Sequence, residues 1–428
     1  MVERKGQALE RWNRTEWFRE ARFGMFIHWG LYAIPARGEW LRNTESLTVE
    51  DYQPYFDEFN PTHYNPVEWA KAAKAAGMKY AVMTAKHHDG FCMFDSKLTD
   101  YKSTNTPCKR DLIKEYVEAF RNEGLKVGLY YSLLDWHHED YPVIGDIRHP
   151  LRDKNFPQEV EDAKQWERYI KYFHGQVEEL LTNYGKIDVL WFDFSYEHMT
   201  KEKWGATELM NMVRRLQPDV LVDNRLGGDI KDDNDLIAGD FTTPEQIIPP
   251  KGVVDNDGNP VPWETCITHN SNWGYHVYDK DYKSTKTIIR GLVECVSKNG
   301  NMLLNVGPDA RGMIPEQSMK MLQEVGEWMK RNSESIYGCG ASDIEKPNWG
   351  YFTQKGDKVF AHVLEKGMST FYIENFTATS ARLLRDKSEL KLVCPWFAEE
   401  FDNLFFIEIP GIRLPDEMDT VIELKMSK

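Results

Sequence analysis

Nowhere does this chain of 428 residues string together the roughly 18 apolar residues that a membrane-spanning helix requires. It is also short of positive charge, since 53 Lys and Arg face 68 Asp and Glu, a formal net charge of −15. That deficit excludes partners that reward clustered cations, so neither nucleic acid nor an anionic membrane surface is expected. Only six cysteines occur (Cys92, Cys108, Cys266, Cys295, Cys339 and Cys394), scattered and without a C-x-x-C pair. Neither a disulfide scaffold nor a zinc module fits such spacing. No G-x-G-x-x-G opens a helix, no phosphate-binding G-x-x-x-x-G-K-[ST] loop is present, and nothing repeats. The N-terminus lacks an apolar signal region, which places the protein in the cytoplasm if that end is native and in the periplasm or outside the cell if a leader has been removed. Two short glycosylation-type triplets, Asn13-Arg-Thr and Asn375-Phe-Thr, are of the kind chance supplies.

What the chain has in quantity is aromatic rings, 55 of them, or 13% of its residues. Part of that excess fills a large core; the rest suits a pocket whose flat apolar faces and polar edges match a sugar or a base. Up to about residue 340, short apolar strands alternate with amphipathic helices. The strands are expected at 23–28, 80–85, 127–131, 187–193, 219–222, 236–240, 265–268 and 302–306. Helices are expected between most of them, with Asn65-Pro66 and Asp111 as starts and Gly77, Gly124 and Gly185 as stops. Eight such units predict an α/β fold, a closed (β/α)8-like (TIM) barrel. Six short strands from 358 to 426, separated by Gly, Pro, Asp and Asn, then predict a small C-terminal antiparallel β-sandwich. The expected division is a barrel over 1–342 and a sandwich over 343–428.

In a parallel barrel the chemistry gathers where the strands end. Side chains alternate along a strand, so Val189, Trp191 and Asp193 share one face, which puts a carboxylate beside an aromatic wall at a strand end. Polar groups and tryptophans recur at the other ends: His28 with Glu39 and Trp40, His87 with His88, Tyr130 with Tyr131, Arg225, Asp240 with Glu245, Trp263 with Glu264, and Trp273. A barrel metal site usually sets two histidines two apart on one strand, whereas adjacent His87 and His88 should diverge, so no metal is expected. Two carboxylates in an aromatic pocket without a metal suit glycoside hydrolysis, in which one attacks or stabilises the anomeric carbon and the other protonates the leaving oxygen.

The successive motifs Phe23-Gly-Met-Phe-Ile-His28-Trp-Gly, Gly38-Glu39-Trp40, His87-His88-Asp89-Gly-Phe91, Gly128-Leu-Tyr-Tyr131-Ser, Leu190-Trp191-Phe-Asp193, Thr243-Pro-Glu245, Trp263-Glu264-Thr-Cys266 and Ser297 to Pro308 resemble those of the α-L-fucosidases of glycoside hydrolase family 29. The resemblance implies a barrel with a C-terminal sandwich and a retaining exo-α-L-fucosidase that needs no cofactor. By it, Asp193 is the nucleophile that forms a covalent fucosyl intermediate, and Glu245 is the first choice for the acid/base, ahead of Glu264 and then Asp240. Sugar contacts map onto His28, Glu39, Trp40, His87, His88, Tyr131, Trp191, Arg225 and Trp273, while Tyr130 packs in the core on the opposite face. Many relatives carry glycine after the nucleophile where this chain has Phe194, which implies a change of pocket shape. The implied partner is a fucosylated oligosaccharide or glycoconjugate, and a homo-oligomer is compatible with everything above. Two other readings are a glycosidase for a related galacto-configured sugar and a non-catalytic carbohydrate-binding homologue, the latter disfavoured because the carboxylates are all present.

Overall fold

A computed structural model describes residues 3–232, 235–366, 370–374, 376, 378–393, 395–396, 404–411 and 413–426. Seven parallel strands form the first layer: β1 Phe23–Ile27, β2 Tyr80–Lys86, β3 Lys126–Ser132, β4 Val189–Asp193, β5 Leu221–Val222, β6 Glu264–Thr268 and β7 Asn301–Val306. Their order is β5-β4-β3-β2-β1-β7-β6. The edges β5 and β6 are joined through 241–245, whose single parallel bridges run Asp223–Phe241, Thr242–Trp263 and Glu245–Cys266. This segment takes the eighth place of a TIM-like barrel.

The expected strand at 236–240 is therefore corrected. Leu236–Ala238 is one 3-10 turn, capped where the Asp235 side chain accepts from the Ile237 N–H at 2.9 Å. Gly239, at φ +73°, turns the chain into the bridging segment, and a Cβ there would lie 2.1 Å from the Asp223 carbonyl oxygen. The stretch before the expected stop at Gly185 holds two helices, Gln158–Asp162 and Trp166–Asn183. The caps at Asn65 and Asp111 are as expected, each side chain accepting from first-turn N–H groups.

Alternation sorts the strand residues into two cores. Phe26, Tyr80, Val82, Tyr130, Val189, Trp191 and Leu303 face the barrel interior, where Phe18 of an N-terminal helix joins them. Ile27, Ala81, Met83, Leu129, Tyr131, Leu190 and Phe192 face the helices. Gly24 makes room inside, since a Cβ there would sit 2.5 Å from the Tyr80 ring.

Eight antiparallel strands follow: β8 Gly340–Ala341, β9 Gly350–Lys355, β10 Lys358–Val363, β11 Thr370–Glu374, β12 Ala378–Leu383, β13 Glu389–Val393, β14 Leu404–Glu408 and β15 Thr420–Met426. The sheet order is β11-β14-β13-β12-β15-β10-β9-β8. β11 and β9 stand near opposite ends of that order, yet Trp349, just before β9, packs its ring 4.7 Å from Phe371 of β11 and donates to the Tyr372 carbonyl at 3.1 Å. The sheet thus folds over one apolar core that includes Val359, Ala361, Ile373, Ile407 and Leu424. β8 and β9 were not anticipated, although Gly356-Asp357 between β9 and β10, with Gly356 at φ +60°, is a hairpin signal. The five described cysteines are unpaired, while Cys394 and the Asn375 triplet lie outside the described residues. Among the described residues no helix is long and apolar enough to cross a membrane.

Candidate active site

At the C-terminal ends of the barrel strands a pocket of about 360 Å³ is lined by Phe26, His28, Trp40, His87, His88, Tyr130, Trp191, Asp193, Phe194, Glu245, Cys266 and Trp273. Asp193, the last residue of β4, is buried and accepts from the Tyr130 hydroxyl at 2.6 Å and from Arg225 Nη1 at 3.0 Å. Burial pushes its carboxyl up to about 6 against the pull of Arg225 and Tyr130, and Glu245 adds to the rise.

Arg225 also donates through Nη2 to Glu245 at 3.0 Å and lies 4.9 Å above the Trp191 ring. Burial works against its charge, but Asp193 and then Glu245 keep its pKa above the ordinary arginine range. One guanidinium therefore joins the two carboxylates, one buried and one half open to solvent.

The histidines are neutral, because burial lowers the pKa of each, that of His28 to about 3. Their tautomers follow from the donors around them. Asn305 gives its amide N–H to the Trp273 carbonyl at 2.7 Å, so its oxygen accepts from His28 Nδ1 at 2.8 Å. Ser132 donates its one hydroxyl proton to the Leu134 carbonyl, so His88 Nδ1 donates to Ser132 Oγ at 2.6 Å. Both rings keep Nε2 as an acceptor, and that of His88 lies 3.9 Å from Asp193. His87 Nδ1 is buried without a partner among the described residues. His87 and His88 do not diverge as expected. They follow the end of β2, past a register shift between Thr84 and Lys86, and their rings sit 4.0 Å apart in the pocket.

Geometry corrects three other sequence expectations, for Tyr131, Glu264 and Asp240, and gives Glu39 a definite partner. Tyr131 faces outward, its hydroxyl on Gln176 at 2.7 Å and its ring stacked on Phe173, while Tyr130 takes the inward place. Glu39 is buried, and pushed up to about 6 by that burial; one of its oxygens accepts from the Gly274 N–H at 2.7 Å and so steadies the loop carrying Trp273. Glu264 opens β6, at the barrel's far end from the pocket, and bonds to the Tyr80 hydroxyl and to Trp191 Nε1 at 3.4 Å. Burial pushes its carboxyl up to about 8. Asp240 is occupied by Arg14, Arg214 and the Val222 N–H. Phe26, Tyr130 and Cys266 were missed, though strand parity places Tyr130 opposite the outward Val127, Leu129 and Tyr131.

Tyr130→Phe should lower turnover about tenfold or more, since it removes a bond to the carboxylate from which chemistry is expected. Tyr131→Phe should instead cost roughly 1–3 kcal/mol of stability and spare turnover, because it leaves the buried Gln176 oxygen unpaired. Kinetics and thermal unfolding of the pair would invert this assignment if Tyr131→Phe alone were the catalytic defect.

A parallel barrel whose strand ends converge on two carboxylates, neutral histidines and tryptophan faces is a glycoside hydrolase. Among the described residues no cluster of three or more His, Cys, Asp or Glu could hold a metal ion. The family model described as Alpha-L-fucosidase matches residues 2–334, and the chain belongs to the α-L-fucosidase family. It is 60% identical to the solved α-L-fucosidase isoenzyme 1 from Paenibacillus thiaminolyticus, with a TM-score of 0.95 over 98% of this chain and 100% of that one. It is 30% identical to a family 29 α-L-fucosidase from Bacteroides thetaiotaomicron caught as a trapped covalent intermediate in complex with 2-fluoro-fucosyl fluoride, with a TM-score of 0.83 over 100% of this chain and 98% of that one. Among curated proteins, tissue α-L-fucosidase of Bos taurus is 30% identical over 95% of this chain and 88% of its own.

Proposed function

We propose that this pocket removes terminal α-L-fucosyl residues from fucosylated glycans by double displacement, with Asp193 as nucleophile and Glu245 as acid/base. The observation that carries this reading is the joint hold of Arg225 on both carboxylates. A retaining pair should stand about 5–5.5 Å apart, and one guanidinium reaching both is compatible with that separation. In the first step Glu245 gives its proton to the glycosidic oxygen as an Asp193 oxygen bonds to the anomeric carbon and the C–O bond to the leaving group breaks. In the second, Glu245 takes a proton from water, whose oxygen displaces Asp193 and restores the original configuration.

Neutral His28 and His88 offer acceptors to ring hydroxyls, and Trp273 and Phe26 offer an apolar wall to a C5 methyl. A sugar with a 6-hydroxyl gains little against such a wall. The same reading treats residues 1–342 as the catalytic unit and 343–428 as the sandwich, a division supported by a second apolar core built wholly from residues after 342, while Phe360, Leu384 and Val421 dock the sandwich onto the first core. A panel of aryl glycosides tests the whole: release from the α-L-fucoside is expected, and turnover only of the galactoside would overturn it.

The pH profile follows from Asp193. It attacks as the carboxylate, so the acid limb of the kcat/KM profile, where activity rises with pH, should lie near 6. An acid limb near the ordinary carboxylate value of about 4 would contradict a buried nucleophile.

A further inference from the structure

Phe194 follows the nucleophile with φ +75°, a left-handed conformation that a bulky side chain rarely adopts. The turn has a use, because it brings the Phe194 N–H to the Asp193 carboxylate and helps hold that carboxyl down. Glycine would make the same turn without strain, so the backbone alone does not call for a ring here. The ring is nevertheless built in. It stands edge-on to His88 at 4.8 Å and to Trp40 at 5.6 Å, with Tyr196 behind it at 5.9 Å.

Strand order gives that position a meaning. Trp40 and His88 follow β1 and β2, whereas Glu245 arrives from the segment between β5 and β6, across the barrel. The leaving group departs on the Glu245 side. Phe194 therefore covers the side that receives the non-reacting hydroxyls, where His88 Nε2 waits as an acceptor.

We propose that Phe194 is a specificity-determining residue: its ring walls off the space beside His88 and Trp40, so that a fucosyl residue carrying a substituent on a ring hydroxyl is rejected and only unsubstituted terminal fucose is cut. The inference rests on the fucosidase reading. The test compares an aryl α-L-fucoside with its three mono-O-methyl ethers, on the wild-type chain and on Phe194→Gly and Phe194→Ala. For at least one ether, the ratio of its kcat/KM to that of the parent should rise about tenfold in both variants, the scale one methyl group commands in a pocket. Ratios within about twofold of wild type for all three ethers would overturn the proposal. A gain in Phe194→Gly alone would also overturn it, since Ala removes the ring too and only Gly relaxes the backbone. Hydrolysis of the unmethylated fucoside by the wild type reports separately on the fucosidase reading, whose failure would appear there and not in the ratios.

Discussion

Asp193→Ala should lose on the order of 10⁴-fold in kcat on an aryl α-L-fucoside, about 5–6 kcal/mol of transition-state stabilisation. The loss is large because the carboxylate makes the bond that splits one difficult displacement into two. What remains is the binding pocket and an acid, so added azide should partly restore turnover. Azide enters the space the carboxyl group leaves and attacks the same face of the anomeric carbon. The product is then β-fucosyl azide, of inverted configuration, which proton NMR identifies. Residual activity within about tenfold of wild type would remove Asp193 from the mechanism.

The same residue makes an opposite prediction for stability. Its carboxyl is shifted up to about 6, so the fold prefers the protonated form. Stability from that preference is fully present below the unfolded value near 4 and lost as pH rises through about 6. Asparagine imitates the neutral acid. Asp193→Asn should therefore be catalytically dead yet more stable at pH 7, by on the order of 2–3 kcal/mol, and the gain should vanish near pH 4. Thermal unfolding at the two pH values reads both, and a destabilised variant at pH 7 would mean that the Arg225 contact outweighs burial.

Much of this site was legible without coordinates because parity and strand ends are local properties. Asp193 at the end of β4 follows from alternation in one strand. So does the placement of Trp191 inside. The misplacements have a common origin in information that is not local. Tyr130 and Tyr131 are chemically alike; parity sets them on opposite faces, and the helix carrying Gln176 and Phe173 marks which face is the outward one. Glu264 lies next to Trp263 in a motif with the right residue types, but it starts its strand and so lies at the wrong end of the barrel. The missing eighth strand is a case of pairing by single bridges, which carry no hydrophobic period to detect. His87 and His88 share the pocket because β2 has already ended, a boundary that sequence places only to within a few residues.

The strongest separation of the two carboxylates comes from Glu245→Ala. An acid matters in proportion to how poor the leaving group is, so the loss in kcat/KM should be about 10²–10⁴-fold on a glycan-like alcohol and small on an activated aryl fucoside. With the activated substrate the first step survives while the second loses its base, so the fucosyl–Asp193 intermediate should accumulate, with a burst of phenolate and a lowered KM. Azide should accelerate this variant as well, because it needs no base. Here, however, it meets the covalent intermediate from the leaving-group side, so the product is α-fucosyl azide, of retained configuration. The two alanine variants therefore yield anomers of opposite configuration from one nucleophile, and the anomer formed reports which carboxylate is gone. Glu264→Ala serves as the contrast. It strips the Tyr80 hydroxyl and Trp191 Nε1 of a buried partner, so it should slow every leaving group alike and lower the melting temperature. If Glu264→Ala instead gave the steep leaving-group dependence and the retained azide while Glu245→Ala did not, the acid/base role would pass to Glu264. That exchange would require the proton to reach the sugar from the floor of the barrel, past Trp191, which lies between Glu264 and the pocket.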